Sequence, residues 1–338
     1  MTGKKYTVAQ GPAYVEITSQ CNFRCPYCYN DSNKDGNELS VERIKETMQY
    51  LISSGVDNMS ISGGEPFLHS QIFDIIEYAK TIGMQLYIIT NASLLSDSVL
   101  ERLRAYMDIL HFQFSFDGGN EKTHSISRGN ENFHGLERCI EYMVTNGFRN
   151  HIFIRYNITP WNFREIEEFV EKAAAMGCGN ISLSYILQQG RGSNSKVLGK
   201  SEKLKIHETI DEMSIRFPDM TIKLTEKPVI TCPYSIVQNN QNIKFLPRID
   251  SSGNVYPCQV EVNPRFIIGN IYENSLSDIM NSDIFHRYIE FVTDKKGRNS
   301  KCGDCAVANL CGGGCVAVHY SCEEMKLAIL QGFLNEES

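Results

Sequence analysis

The sequence has no run of about 18 consecutive apolar residues, the length at which a helix spans a bilayer, so no membrane-spanning segment is expected. It lacks a signal peptide as well. The opening MTGKKYTVAQGPAYVEIT is too polar for one, which makes the reducing cytoplasm the expected location. An excess of positive charge is also missing: 33 Lys and Arg stand against 40 Asp and Glu, a net charge of −7. A broad phosphate-binding surface rests on clustered Lys and Arg, so nucleic acid is not an expected partner. There are no internal repeats and no low-complexity tracts. What remains is a globular chain of 338 residues, 42% hydrophobic, long enough for one large domain or a large and a small one. Its twelve cysteines stand out, because in a reducing compartment clustered cysteines point to metal or redox chemistry before disulfides.

From about residue 12 to about residue 225, short apolar and β-branched runs alternate with longer segments of helical period. The runs are AYVEIT, NMSIS, QLYIIT, ILHFQFSF, IFIRYNIT and ISLSYIL, and the segments between them carry apolar residues every three or four positions. This alternation predicts an α/β fold with a parallel sheet and helical crossovers. Six runs followed by the helical SEKLKIHETIDEMSIRF suit an open, partial (β/α)6 TIM-like barrel. In such folds chemistry gathers beyond the C-terminal strand ends, where TSQC, GGEP, TNAS and SFDGG would converge on one mouth. After about residue 226 the alternation stops and cysteines become denser. The segment IDSSGNVYPC reads as a hairpin turning at Ser252 to Asn254, and five cysteines fall within 21 residues from Cys302. The expected domains are therefore a barrel over 12–225, a small Cys-rich unit over 226–322 and a helical tail over 323–338.

The stretch TSQCNFRCPYCYN places Cys21, Cys25 and Cys28 on one loop with no fourth cysteine nearby. Three thiolates can hold three irons of a cubic [4Fe–4S] cluster and leave the fourth iron open for another ligand. A zinc site completed by a distant His or Cys is the alternative on spacing alone. Tyr27 before Cys28 makes the stretch resemble the CxxxCxΦC signature of the radical S-adenosylmethionine (SAM) superfamily, Φ being an aromatic. The resemblance implies that the open iron chelates the amino and carboxylate groups of SAM, whose reductive cleavage gives a 5′-deoxyadenosyl radical. Further motifs extend it. Gly63, Gly64 and Glu65 match the loop after the second strand, where glycines allow close backbone approach and Glu65 offers acceptors to a ligand ammonium group. Thr90 and Asn91 match the end of strand three, with Ala92 where relatives have Gly. Ser115, Asp117 and Arg128 resemble a segment that contacts ribose and carboxylate, an arginine being suited to a carboxylate fork. Asp117 serves equally as a turn cap before Gly118, and His124 reads as surface or structural. Arg191 in LQQGRG is a candidate for the active-site rim or a surface residue.

The run CGDCAVANLCGGGC with the following Cys322 resembles the SPASM domain, a C-terminal extension that carries two auxiliary iron–sulfur clusters; zinc-ribbon pairing is the bland alternative. Carried over residue by residue, the second auxiliary cluster would take Cys302, Cys305, Cys311 and Cys322, and the first Cys232, Cys258 and Cys315. Seven cysteines leave one of eight positions to an open iron or another ligand. Cys139 and Cys178 read as core residues. The resemblance implies a hydrogen-abstracting enzyme, expected to be a maturase that crosslinks a ribosomally made peptide or oxidises one of its side chains. Its partners would be the peptide, a separate leader-binding protein, since strand one starts near residue 12, and a flavodoxin- or ferredoxin-type reductant. The alternatives are radical chemistry on a small molecule, such as an amino sugar or tetrapyrrole precursor, and, remotely, a non-catalytic iron–sulfur or zinc module. The general base is open. Gln259 follows YPC where sulfatase-maturing relatives have an acid, leaving Glu261, Gln259 and Arg191 as candidates.

Overall fold

Seven parallel strands follow one another in chain order across a sheet: β1 (Ala13–Thr18), β2 (Asn58–Gly63), β3 (Gln85–Thr90), β4 (Leu110–Ser115), β5 (Ile152–Ile158), β6 (Asn180–Tyr185) and β7 (Thr221–Leu224). The structure is a computed structural model that describes residues 7–8, 13–129, 132–187, 189–225, 244–245, 247–259 and 263–293. Crossovers run through α1 (Val41–Ser53), α2 (Ile72–Ile82), α3 (Asp97–Leu103), α4 (Glu121–Arg128), α5 (Phe133–Thr145), α6 (Ile166–Ala175) and α7 (Lys200–Arg216). This is the partial barrel that the alternation predicts, with β7 added after α7. The sheet stays open, β7 forming one edge.

Each strand has two unlike faces. On β4, Leu110, Phe112 and Phe114 are buried against the helices, while His111, Gln113 and Ser115 alternate with them. On β5, Ile152, Ile154, Tyr156 and Ile158 join the core, and Phe153, Arg155 and Asn157 face the other way. Parallel strands buried on both faces usually read as continuous apolar runs. Here the polar alternate positions mark an inner face that borders a cavity, and the apolar core lies between sheet and helices. Local signals fix the helix ends: the Ser40 hydroxyl accepts from Arg43 N at the start of α1, and Gly83 closes α2 in the left-handed region at φ 73°.

Beyond the barrel, β8 (Arg248–Ile249) and β9 (Asn254–Tyr256) form the expected antiparallel hairpin. Its turn lies slightly earlier than the sequence suggests: Asn254 already belongs to β9, and the bend is closed by Gly253 N donating to Asp250 O at 2.9 Å. The hairpin does not stand apart. β8 pairs parallel with β1, Arg248 opposite Tyr14, and β10 (Gly269–Asn270) adds to β9, so ten strands form one sheet. Two short helices follow, α8 (Leu276–Met280) and α9 (Asp283–Thr293). A separate pair of two-residue strands, Thr7–Val8 and Lys244–Phe245, runs parallel outside that sheet. Among the described residues no helix is long and apolar enough to cross a membrane. Cys232, Glu261, Cys302, Cys305, Cys311, Cys315, Cys322 and the tail over 323–338 lie outside the described residues.

Candidate active site

Residues 19–40 connect β1 to α1 and carry the three cysteines. Cys25 and Tyr27 are buried with Phe23 in a small apolar cluster against which Cys21 and Cys28 pack. All three cysteines line a cavity of about 400 Å³ at the C-terminal ends of the strands. Burial pushes the Cys21 thiol up to about 11 and raises that of Cys25 as well, which favours the protonated thiols until a metal takes the sulfur. Among the described residues no three Cys, His, Asp or Glu side chains gather as ligands of one metal ion.

Neighbouring loops lock this loop through its backbone. Gly64 N donates to Thr18 O and Glu65 N to Gln20 O, both at 2.7 Å. A methyl on Gly63 would come within 1.9 Å of Thr18 O, and one on Gly64 within 1.8 Å of Gln20 O. The close approach that the two glycines permit is therefore to the end of β1 for Gly63 and to the cysteine loop itself for Gly64. The GRG turn holds the same loop as well: Arg191 N donates to Cys28 O at 2.9 Å, its Nε to Cys25 O at 2.9 Å, and its Nη1 to Ser32 O at 2.9 Å and Asp31 Oδ1 at 2.7 Å. Arg191 lines the cavity, but these donors are spent on the loop.

The other motif residues divide into a wall and a layer behind it. Gly63, Gly64, Thr90, Asn91, Ser115 and Arg128 line the cavity, as does Tyr27. Glu65 and Asp117, expected at a ligand, do not line it. Glu65 is 1% exposed and occupied: Oε1 accepts from Thr90 Oγ1 at 2.7 Å and Oε2 from Asn91 N at 2.8 Å, which ties the loops after β2 and β3 together. Desolvation raises its carboxyl above the ordinary value, opposed by these hydrogen bonds. Asp117, fully buried, accepts from the Tyr27 hydroxyl, from Arg128 Nη1 at 3.1 Å and from Asn157 N at 2.5 Å. It is neither a simple turn cap nor a wall residue; it holds Tyr27 and Arg128 in position. Arg128 Nε is buried without a partner. His124 is structural, 1% exposed, with Nδ1 accepting from Asp117 N at 3.3 Å. Cys139 and Cys178 are buried in the core as expected.

Gln259 brings the hairpin side to the cavity, and Cys258 beside it is half-buried. The sequence reading missed a buried network under the cysteine loop. Arg248 Nε and Nη2 each reach Glu16 Oε1 at 2.8 Å, Nη2 also donates to Asn30 Oδ1 at 3.0 Å, and the Tyr14 and Tyr29 hydroxyls meet at 2.8 Å. The signal was present in AYVEIT, where Tyr14 and Glu16 interrupt an otherwise apolar strand at period two.

Comparisons with known proteins agree with this layout. The radical SAM superfamily profile matches residues 15–173, and that of an iron–sulfur cluster-binding domain, SPASM, matches residues 246–306. The chain is 26% identical over 314 residues to the antilisterial bacteriocin subtilosin biosynthesis protein AlbA of Bacillus subtilis, covering 89% of this chain and 66% of AlbA. It therefore spans just under two thirds of that relative. Identity to the mycofactocin maturase MftC of Mycobacterium tuberculosis is 24% over 319 residues, 90% of this chain and 78% of MftC. Identity to the AdoMet-dependent heme synthase of Methanosarcina barkeri is 24% over 333 residues, 90% and 91% of the two chains. Among solved structures, Streptococcus suis SuiB bound to its precursor peptide SuiA shares the fold, with a TM-score of 0.73 at 18% identity over 92% of this chain and 73% of SuiB.

Proposed function

The chain joins a radical SAM domain to a SPASM domain and so belongs to the radical SAM superfamily; from that premise we propose that it is a maturase that crosslinks a ribosomally made peptide or oxidises one of its side chains. The observation that carries the proposal is the single cavity that Cys21, Cys25 and Cys28 share with Gln259 from the hairpin side. A [4Fe–4S] cluster and SAM, when bound there, supply a 5′-deoxyadenosyl radical that abstracts hydrogen from an unactivated carbon.

The residues fit those groups. A cubic cluster takes one thiolate per iron, so three cysteines bordering one cavity suit it without meeting at a single ion. The buried, unpartnered Nε of Arg128 leaves a donor for a carboxylate, and Thr90, Asn91 and Ser115 add hydroxyl and amide groups to the same wall. In this reading Glu65 and Asp117 position those side chains, Arg191 holds the cysteine loop, and Gln259 borders the substrate. The barrel covers 12–225 and the auxiliary unit 226–322, whose seven cysteines, Cys258 among them, serve two further clusters. A flavodoxin- or ferredoxin-type reductant and a separate leader-binding protein complete the system. AlbA and MftC, named for bacteriocin biosynthesis and mycofactocin maturation, and the SuiB–SuiA complex support a peptide substrate. A second reading, radical chemistry on a tetrapyrrole precursor, is favoured by the heme synthase, which this chain matches over most of its length.

The test is anaerobic reconstitution followed by incubation with SAM and dithionite. About twelve irons per chain are expected for three cubic clusters. 5′-Deoxyadenosine should form in the wild type and vanish when Cys21, Cys25 and Cys28 are all replaced by Ala. Zinc in place of iron, or no SAM cleavage by a fully loaded protein, would overturn the radical assignment. Coexpression with small peptides encoded beside the gene, read by mass spectrometry, separates the peptide reading from the tetrapyrrole one.

A further inference from the structure

Three arginines border the cavity, and two of them have carboxylate partners: Arg128 pairs with Asp117 at 3.1 Å and Arg191 with Asp31 at 2.7 Å. Arg155 differs. Its Nη1 donates to the Ser182 hydroxyl at 2.8 Å, and it forms no ion pair among the described residues. Asp117 is already taken up by Tyr27, Arg128 and Asn157. Among the described residues that border the cavity there is no Asp or Glu. Arg155 sits midway along β5, in register with Ser115 of β4 and Ser182 of β6, on the inner face with Gln113, Asn157 and Ser184 as neutral neighbours in the wall. Desolvation lowers its proton affinity from the ordinary value, and the charge of Asp117, whose hydrogen bonds go to other groups, opposes this only in part.

A poorly solvated cation without an anion is costly. Holding Ser182 does not demand one, since an amide side chain could donate the same bond. A planar guanidinium is, however, the group best matched to a carboxylate, which it grips with two parallel hydrogen bonds. We propose that Arg155 anchors a carboxylate-binding subsite in the barrel wall, which takes an Asp or Glu side chain, or the carboxy terminus, of the substrate. The assignment rests on the peptide-maturase reading and narrows it to peptides that present an acidic group beside the reacting residue. The methionyl carboxylate of SAM has the same chemistry, so the test must separate the two sources.

The experiment uses the full chain, anaerobically reconstituted, with Arg155→Gln and Arg155→Lys beside the wild type and iron content as the check on folding. SAM affinity is measured first by equilibrium dialysis and should agree within about twofold across the three proteins; a loss of tenfold or more in Arg155→Gln would assign the guanidinium to SAM and overturn the substrate subsite. With SAM present, fluorescence anisotropy then compares labelled hexapeptide pools carrying central Glu or Asp with pools carrying Gln or Asn. The wild type should prefer the acidic pools about tenfold, Arg155→Lys less, and Arg155→Gln not at all. Equal binding of acidic and amide pools by the wild type would overturn the subsite while leaving the peptide reading intact. Should neither pool bind, dialysis of N-acetylglutamate against N-acetylglutamine decides: a preference for the acid lost in Arg155→Gln keeps the subsite and rejects the peptide, and no preference rejects the subsite. If Arg155→Gln loads no iron, the wild-type preference and its reduction in Arg155→Lys carry the test.

Discussion

Ala92 occupies the left-handed region, φ 60°, at the point where the chain leaves β3 for the cavity wall, and it is buried. A side chain there costs about 1–2 kcal/mol that glycine avoids, partly offset by the greater freedom of glycine in the unfolded chain. Ala92→Gly should therefore raise stability by up to about 1 kcal/mol, seen as an unchanged or higher thermal midpoint. Gly64 is the opposite case. A methyl 1.8 Å from Gln20 O and 2.4 Å from Gln20 C has no room, and both of those neighbours are backbone. Gly64→Ala should displace the cysteine loop and remove the N-terminal cluster, lowering iron by about four per chain. His124 sets an acid limit. Burial lowers its pKa from 6.5 to about 4, so between these values the unfolded chain binds a proton that the folded chain refuses. Stability is full above about pH 6.5 and declines as pH falls through 4, by on the order of 3 kcal/mol from this residue. Urea unfolding across that range should show the decline, and His124→Asn should flatten it.

At the scale of elements, legibility followed hydrophobic contrast. The six long strands and the helices α1, α2, α3, α5, α6 and α7 show in the sequence because each has an apolar face to bury. α4 does not. Its buried residues are Thr123, His124 and Ser127, and its one large apolar side chain, Ile126, is exposed; Asn120 and Gly129 delimit it, but no apolar period fills it. β7 escaped for a related reason, being an edge strand whose residues are all exposed or half-buried. The motif residues at the strand ends were legible as types, whereas their division into wall and supporting layer was not, because sequence spacing cannot say which carboxylate has already been taken by a neighbour. The GRG turn shows the same limit. Arg191 could be noticed from sequence, but its role comes from the carbonyls it meets. Arg191→Ala should lower occupancy of the N-terminal cluster and weaken its electron paramagnetic resonance signal. Asp31→Ala should change little, because that carboxylate is 67% exposed and exposed pairs contribute at most about 1 kcal/mol.

At the scale of the molecule, strand pairing and a buried ion pair join the barrel and the hairpin among the described residues. Arg248 is 3% exposed and Glu16 2%, and the pair bridges β8 to β1 beneath Tyr29 and Asn30 of the cysteine loop. Removing one partner leaves the other charge buried, so Arg248→Met should cost about 3–5 kcal/mol, and adding Glu16→Gln should recover part of it. Anaerobic thermal unfolding of the single and double variants measures the difference, and a single variant as stable as the wild type would reject the coupling.

The two faces of the barrel strands answer to different constraints. Outward positions such as Phe112 and Ile154 are fixed by the helices packed on them, and with them the register of every strand. Inward positions such as Gln113, Arg155 and Ser184 hold up little of the core. A lineage of such enzymes can exchange these inner side chains, and with them the molecules it accepts, while its scaffold stays the same.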